Sequence, residues 1–171
     1  MSLISPSDQQ RLRESFAEMT RRVRLVFFTQ TFDCEMCPEA RQILGELPPL
    51  SDNITIEEVN LVLDADTAKA YGVDRAPAIA VTYADPSEPP VAGGSPAPGS
   101  DATAPAPAAD GFHWRDSRIR FLGAPAGYEF VSLVQAVLIA GGRPLHLSDE
   151  SRARIAAVNR PVTLQVFTTP T

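Results

Sequence analysis

Cysteine, histidine, basic charge and long apolar runs are all scarce in this sequence, and each scarcity removes a class of function. The most apolar run, 131–140, is about half the roughly 20 residues that a membrane-spanning helix requires. The opening Met1-Ser2-Leu3-Ile4-Ser5-Pro6 carries neither the basic nor the apolar stretch of a secretory signal, so the chain is read as cytoplasmic. Lys and Arg number 15 against 21 Asp and Glu, a formal charge of -6. Without a basic face to neutralise phosphates, nucleic acid and anionic membrane surfaces are poor partners. The two cysteines stand three positions apart, which is no disulfide framework for a small secreted domain. They form a local pair, and local pairs usually do chemistry.

What is present suffices for a packed domain. A chain of 171 residues, 44% of them apolar, can bury a substantial core and has room for one domain with an appendage. Ser7-Asp8-Gln9-Gln10 followed by Leu12, Phe16 and Met19 reads as a capped amphipathic helix, with Arg21, Arg22 and Arg24 near its negative end. The β-branched and aromatic run Val23-Arg24-Leu25-Val26-Phe27-Phe28 suits a buried strand. After the cysteines, Ala40, Ile43, Leu44 and Leu47 recur at helical spacing until Pro48-Pro49. A second strand over 54–59, a short helix over 64–70 ending near Gly72, and a third strand over 78–83 follow.

Between 85 and 111 the composition turns to Pro, Ala, Gly and Ser, with seven of the 16 prolines, and cannot build a core. A fourth strand is predicted over 117–122, which makes the segment an inserted loop between adjacent antiparallel strands. Phe130, Val131, Val134, Val137 and Leu138 then line one face of a helix ending at Gly141-Gly142. A further helix is expected over 148–158 and a further strand over 162–167, whose Val162, Leu164, Phe167 and Thr168 match Val23, Leu25, Phe28 and Thr29 of the first strand. The fold expected is α/β, with a central mixed sheet of about four strands flanked by helices. Residues 1–147 form the domain, and 148–171 read as the start of a truncated second unit. The edge of the strand at 162–167 would be open, so a homodimer through it is expected.

Cys34-Glu35-Met36-Cys37 falls at a strand-to-helix junction. There the first sulfur would sit at the helix N-terminus, where unpaired N–H groups and the dipole favour a thiolate. Cys34 is therefore the expected nucleophile, and Cys37, one turn on, the resolving thiol that attacks a mixed disulfide. Asp33 and Glu35 flank the nucleophile with negative charge, which disfavours its thiolate and leans the pair toward a reductant. Half of a zinc site completed by His113 and His146, or a static structural disulfide, would also account for two cysteines. Ala76-Pro77 precedes the third strand. Pro77 could simply open an edge strand, or, as a cis-proline beside the pair, leave the Ala76 backbone free to take an extended substrate by strand addition.

Three segments carry a family resemblance: Phe28-Thr29 leading to Cys34-Glu35-Met36-Cys37-Pro38, then Tyr71-Gly72-Val73-Asp74-Arg75-Ala76-Pro77-Ala78-Ile79, and Ile119-Arg120-Phe121-Leu122-Gly123-Ala124-Pro125-Ala126-Gly127-Tyr128-Glu129-Phe130. In these the chain resembles the glutaredoxin-like protein disulfide oxidoreductases, built from two tandem thioredoxin-fold units. It is also similar to the N-terminal region of the flavoprotein component of alkyl hydroperoxide reductase. The resemblance implies that Cys34 attacks, Cys37 resolves and Pro77 is a cis-proline facing them, with no metal or organic cofactor. It implies protein disulfides or low-molecular-weight thiols as substrates, and a reductase or thiol as electron donor. A non-catalytic docking or redox-sensing module is the competing expectation.

Overall fold

The computed structural model describes residues 3–85 and 111–168. Helix α1, Pro6–Phe16, is capped two residues earlier than its sequence suggests: the Ser5 side chain accepts from the Asp8 N–H at 3.2 Å, and Pro6 takes the first helical position. Strand β1, Val23–Thr29, is buried at every residue, as a central strand covered on both faces must be. Helix α2 spans Cys37–Gly45, and Pro48–Leu50 form a single 3-10 turn. Strand β2, Ile54–Asn60, helix α3, Ala65–Ala70, and strand β3, Ala78–Ala84, come next. Strand β4, Trp114–Leu122, helix α4, Tyr128–Ala140, and helix α5, Asp149–Ala156, complete the order.

The sheet order is β2-β1-β3-β4, with β1 and β2 parallel and the other neighbours antiparallel. The 117–122 expectation therefore finds its strand, which starts three residues earlier. An irregularity opposite Val81 and Thr82 re-aims its first half. The inserted loop connects the adjacent antiparallel strands β3 and β4, and its residues 86–110 lie outside those described.

Alternation along the strands divides the interior in two. Leu25, Phe27, Ile79 and Val81 join Phe16, Leu44, Leu47, Leu133 and Val137 in the larger core, on the face covered by α1, α2 and α4. Val26, Phe28, Val59, Ala78 and Ala80 face the other way, under Ala68, Tyr71 and Val73 of α3 and the turn after it. Among the described residues no helix is long and apolar enough to cross a membrane.

Two expectations are corrected. Arg24 does not serve the end of α1: it is buried within β1, bonded through Nη1 to Glu57 Oε2 at 2.7 Å, with its guanidinium 4.3 Å from the Trp114 ring centre. The strand expected at 162–167 is irregular and exposed, and the helix before it, α5, buries no residue.

Candidate active site

Strand β1 ends at Thr29, paired with Asn60 of β2, and the chain then loops outward before turning into α2. Gln30 Nε2 donates to the Asp33 carbonyl at 3.2 Å, and Asp33 adopts a left-handed φ of 56°, which lifts Phe32 into solvent. Cys34 follows, half-buried, and is joined by a disulfide to Cys37, 5.4 Å away between Cα atoms. Cys37 is only 3% exposed and belongs to the larger core. The pair is therefore asymmetric, with one sulfur-bearing residue at the surface and one held beneath it.

The helix begins at Cys37, with Met36 as its N-cap, so Cys34 lies one turn ahead of the position expected for it. Pro38 is the physical reason. A helix reaching back over Cys34 needs the N–H of residue 38 to bond the Cys34 carbonyl, and proline has none. The turn closes instead through the Cys37 N–H, which donates to that carbonyl at 3.3 Å, and regular bonding starts with the Ala40 N–H to the Met36 carbonyl at 2.9 Å. Helix-dipole stabilisation of a Cys34 thiolate is correspondingly weaker, since the effect falls off within the first turn.

Ala76 packs against the same core cluster as Cys34 and Cys37. The Ala76–Pro77 peptide is cis, Pro77 is buried, and the Pro77 carbonyl accepts from the Gly123 N–H at 2.9 Å. Ala76 sits just outside the β1–β3 ladder, and among the described residues its backbone N–H and carbonyl have no hydrogen-bond partner. All four residues singled out in the sequence, Cys34, Cys37, Ala76 and Pro77, thus belong to one end of the sheet. His113 does not, because it precedes β4 at the opposite end, and His146 lies in the exposed loop after α4. Among the described residues no group of three or more His, Cys, Asp and Glu side chains converges as a metal site.

The charges around the pair divide into bonded and unbonded groups. Asp33, Glu35 and Glu39 are exposed and make no ion pair among the described residues. Arg75, beside Ala76, is bonded through Nε and Nη2 to both Asp74 oxygens, at 2.8 and 3.1 Å, which holds that carboxyl below its ordinary range. Arg41 is likewise bidentate to Glu58, at 2.8 Å on each side. Sequence reasoning missed the turn after β2, where Asn60 Oδ1 accepts from the Val62 and Leu63 N–H groups and Asp64 Oδ2 from the Asn60 N–H, each at 3.0 Å. The signal was Asn60 and Asp64 bracketing an apolar triplet between a strand and a helix.

The sheet order, the flanking helices and the Cys-x-x-Cys at the end of the central β1 define a thioredoxin-like fold. The N/C domain from the N-terminal part of alkylhydroperoxide reductase AhpF of Enterococcus faecalis is similar, at 24% identity and TM-score 0.68 over 92% of this chain and 62% of that one. A mutant AhpF from the same organism gives 25% identity and TM-score 0.67 over 90% of this chain and 60% of that one. A protein disulfide oxidoreductase from Aeropyrum pernix gives 18% and 0.62, over 90% and 54%. The chain thus spans between half and two thirds of the length of these structures. No family model matches it, and no curated protein does.

Proposed function

We propose that the chain is a thiol–disulfide oxidoreductase in which Cys34 attacks and Cys37 resolves, working in the reducing direction. One observation carries the reading: a Cys-x-x-Cys cystine with one accessible and one buried half, beside the unpartnered backbone of Ala76. Strand-like pairing of an extended substrate with Ala76 would set its disulfide against the accessible sulfur. In the reduced pair, the Cys34 thiolate attacks one substrate sulfur. The substrate S–S bond breaks, a mixed disulfide forms, and the departing thiolate takes up a proton. The Cys37 thiolate then attacks Cys34 Sγ, releases the second substrate thiol and closes the Cys34–Cys37 disulfide. Two electrons and two protons pass to the substrate, and an external dithiol or a reductase must return them.

Direction follows from what stabilises the Cys34 thiolate. A helix starting only at Cys37, with carboxylates at Asp33 and Glu35 on either side, gives it little help, and a poorly stabilised thiolate corresponds to a low reduction potential. A reducing role suits a reducing compartment, the cytoplasm.

Cys37→Ser tests the assignment. The variant should accumulate mixed disulfides on Cys34, seen as mass adducts that dithiothreitol removes, and Cys34→Ser should accumulate none. Partner binding that is identical with both cysteines replaced would instead establish a docking module, and adducts on Cys37 in the Cys34→Ser chain would reverse the roles.

A further inference from the structure

The segments surrounding the cystine hold large apolar side chains out in water on backbone that is tied down. Phe32 and Leu63 are each 82% exposed, and Val62 and Met36 are exposed as well. Thr29 and Asn60 face each other at the ends of β1 and β2, and the Leu61 N–H donates to the Thr29 carbonyl at 2.8 Å. The two loops that carry these side chains therefore leave the sheet side by side. Neither presents its apolar groups by fraying: Gln30 bonds across one, and Asn60 with Asp64 fixes the other. Ordered apolar side chains clustered at one end of a sheet mark an interaction surface.

Charge decides what lands there. Asp33, Glu35 and Glu39 stand free on the cysteine segment, whereas Arg75 and Arg41, the arginines of the flanking segments, are each held by a carboxylate. A small disulfide of the glutathione type, whose net charge is negative, meets repulsion and finds no free arginine on these segments. Resting on the exchange reading above, we propose that the substrate is a protein disulfide whose flanking residues are apolar and cationic, seated on Phe32, Met36, Val62 and Leu63 with its positive charge toward Asp33, Glu35 and Glu39. Low-molecular-weight anionic disulfides are then poor substrates.

The test uses the reduced chain and synthetic peptide disulfides matched in length and apolar content, one flanked by lysine and one by glutamate. Oxidised glutathione and the neutral 2-hydroxyethyl disulfide complete the set. Each rate is divided by the same compound's rate with dithiothreitol, which removes the effect of flanking charge on the leaving thiol. The lysine peptide should exceed the glutamate peptide about tenfold in kcat/KM at low ionic strength, with the gap shrinking in salt. Combined Asp33→Asn, Glu35→Gln and Glu39→Gln should bring the ratio close to one. Val62→Ser with Leu63→Ser should lower the lysine-peptide rate about fivefold relative to that of 2-hydroxyethyl disulfide. Equal rates for the two peptides, or oxidised glutathione as fast as the lysine peptide, would overturn the proposal while turnover of 2-hydroxyethyl disulfide leaves the exchange reading standing. Failure of the neutral reagent to react at all overturns that reading, and the proposal with it.

Discussion

Replacing Tyr71 with phenylalanine should flatten the alkaline limb of the stability curve. Tyr71 is 6% exposed beneath the smaller face of the sheet, edge-on to Phe28 with ring centres 5.5 Å apart. Burial pushes its phenol up to about 12; Arg24 and Arg120 pull against this, while Glu57 and Asp116 add to it. In the unfolded chain a tyrosine loses its proton near pH 10, so between about pH 10 and 12 the unfolded state binds fewer protons than the folded one. Stability is fully present below the first value and drains away as pH rises through the second. Two pH units at about 1.4 kcal/mol each amount to about 2 to 3 kcal/mol, most of it gone by about pH 11.5. The Tyr71→Phe ring would have no proton to lose, could keep the edge-on contact, and would leave untouched the Arg120 bonds to the residue 71 carbonyl, both 3.0 Å. Urea unfolding from about pH 8 to about pH 11.5, with phenolate absorbance followed in parallel, measures the difference. If both proteins lose stability equally over that range, the burial argument is wrong.

Two further substitutions test the packing. Glu57→Gln strands the Arg24 guanidinium, 5% exposed at its side chain, without its anion and should cost about 1 to 3 kcal/mol, whereas Arg24→Met leaves Glu57, 44% exposed, to water and should cost less than half as much; urea midpoints that rank the other way would refute the desolvation account. Phe27→Ala empties a site in the larger core and should cost about 3 to 5 kcal/mol, while Phe32→Ala, five residues on but in solvent, should stay within about 0.5 kcal/mol, both read from thermal unfolding.

Much of the fold was legible because its signals are local. The β1 run of β-branched and aromatic residues, the periodic Val134, Val137 and Leu138 of α4, and the compositional break between β3 and β4 each announce their element without reference to a partner. The cysteine pair was equally plain, as were the residues of the 76–77 dipeptide. What the sequence hid depends on neighbours. Arg24 inside a strand looks like a surface residue until β2 supplies Glu57 and β4 supplies Trp114. The run Val162, Leu164, Val166 alternates like a strand, yet alternation only states which face would be apolar and cannot supply a sheet edge. The helix start was legible in part: the sequence shows that Pro38 cannot donate to the Cys34 carbonyl, which loosens the first turn, but not that the turn leaves the helix and closes through the Cys37 N–H instead.

The two faces of the sheet solve the covering problem differently. Helix α3 has six residues and is about 9 Å long, too short to shield its face from β2 to β4. Arginine–aromatic contacts cover what it leaves: Arg24 lies over Trp114, Arg120 over Tyr71, and Arg22 over Phe112, with Arg120 also bonded to Asp116 at 2.6 and 2.8 Å. Such contacts hold apolar ring faces against charge, so this side of the molecule answers to pH and salt. The opposite face, under α1, α2 and α4, is closed mainly by Leu, Ile, Val and Phe and contains Cys37, with Arg41 over the Phe27 ring and Arg21 over that of Tyr83. Cys37 therefore stands in the core on the opposite face from Tyr71, and ionisation of Tyr71 acts on the far side of the sheet from the cysteine pair. If the pair exchanges disulfides as proposed, the core around Cys37 rests mainly on apolar contacts that ionisation of Tyr71 does not remove.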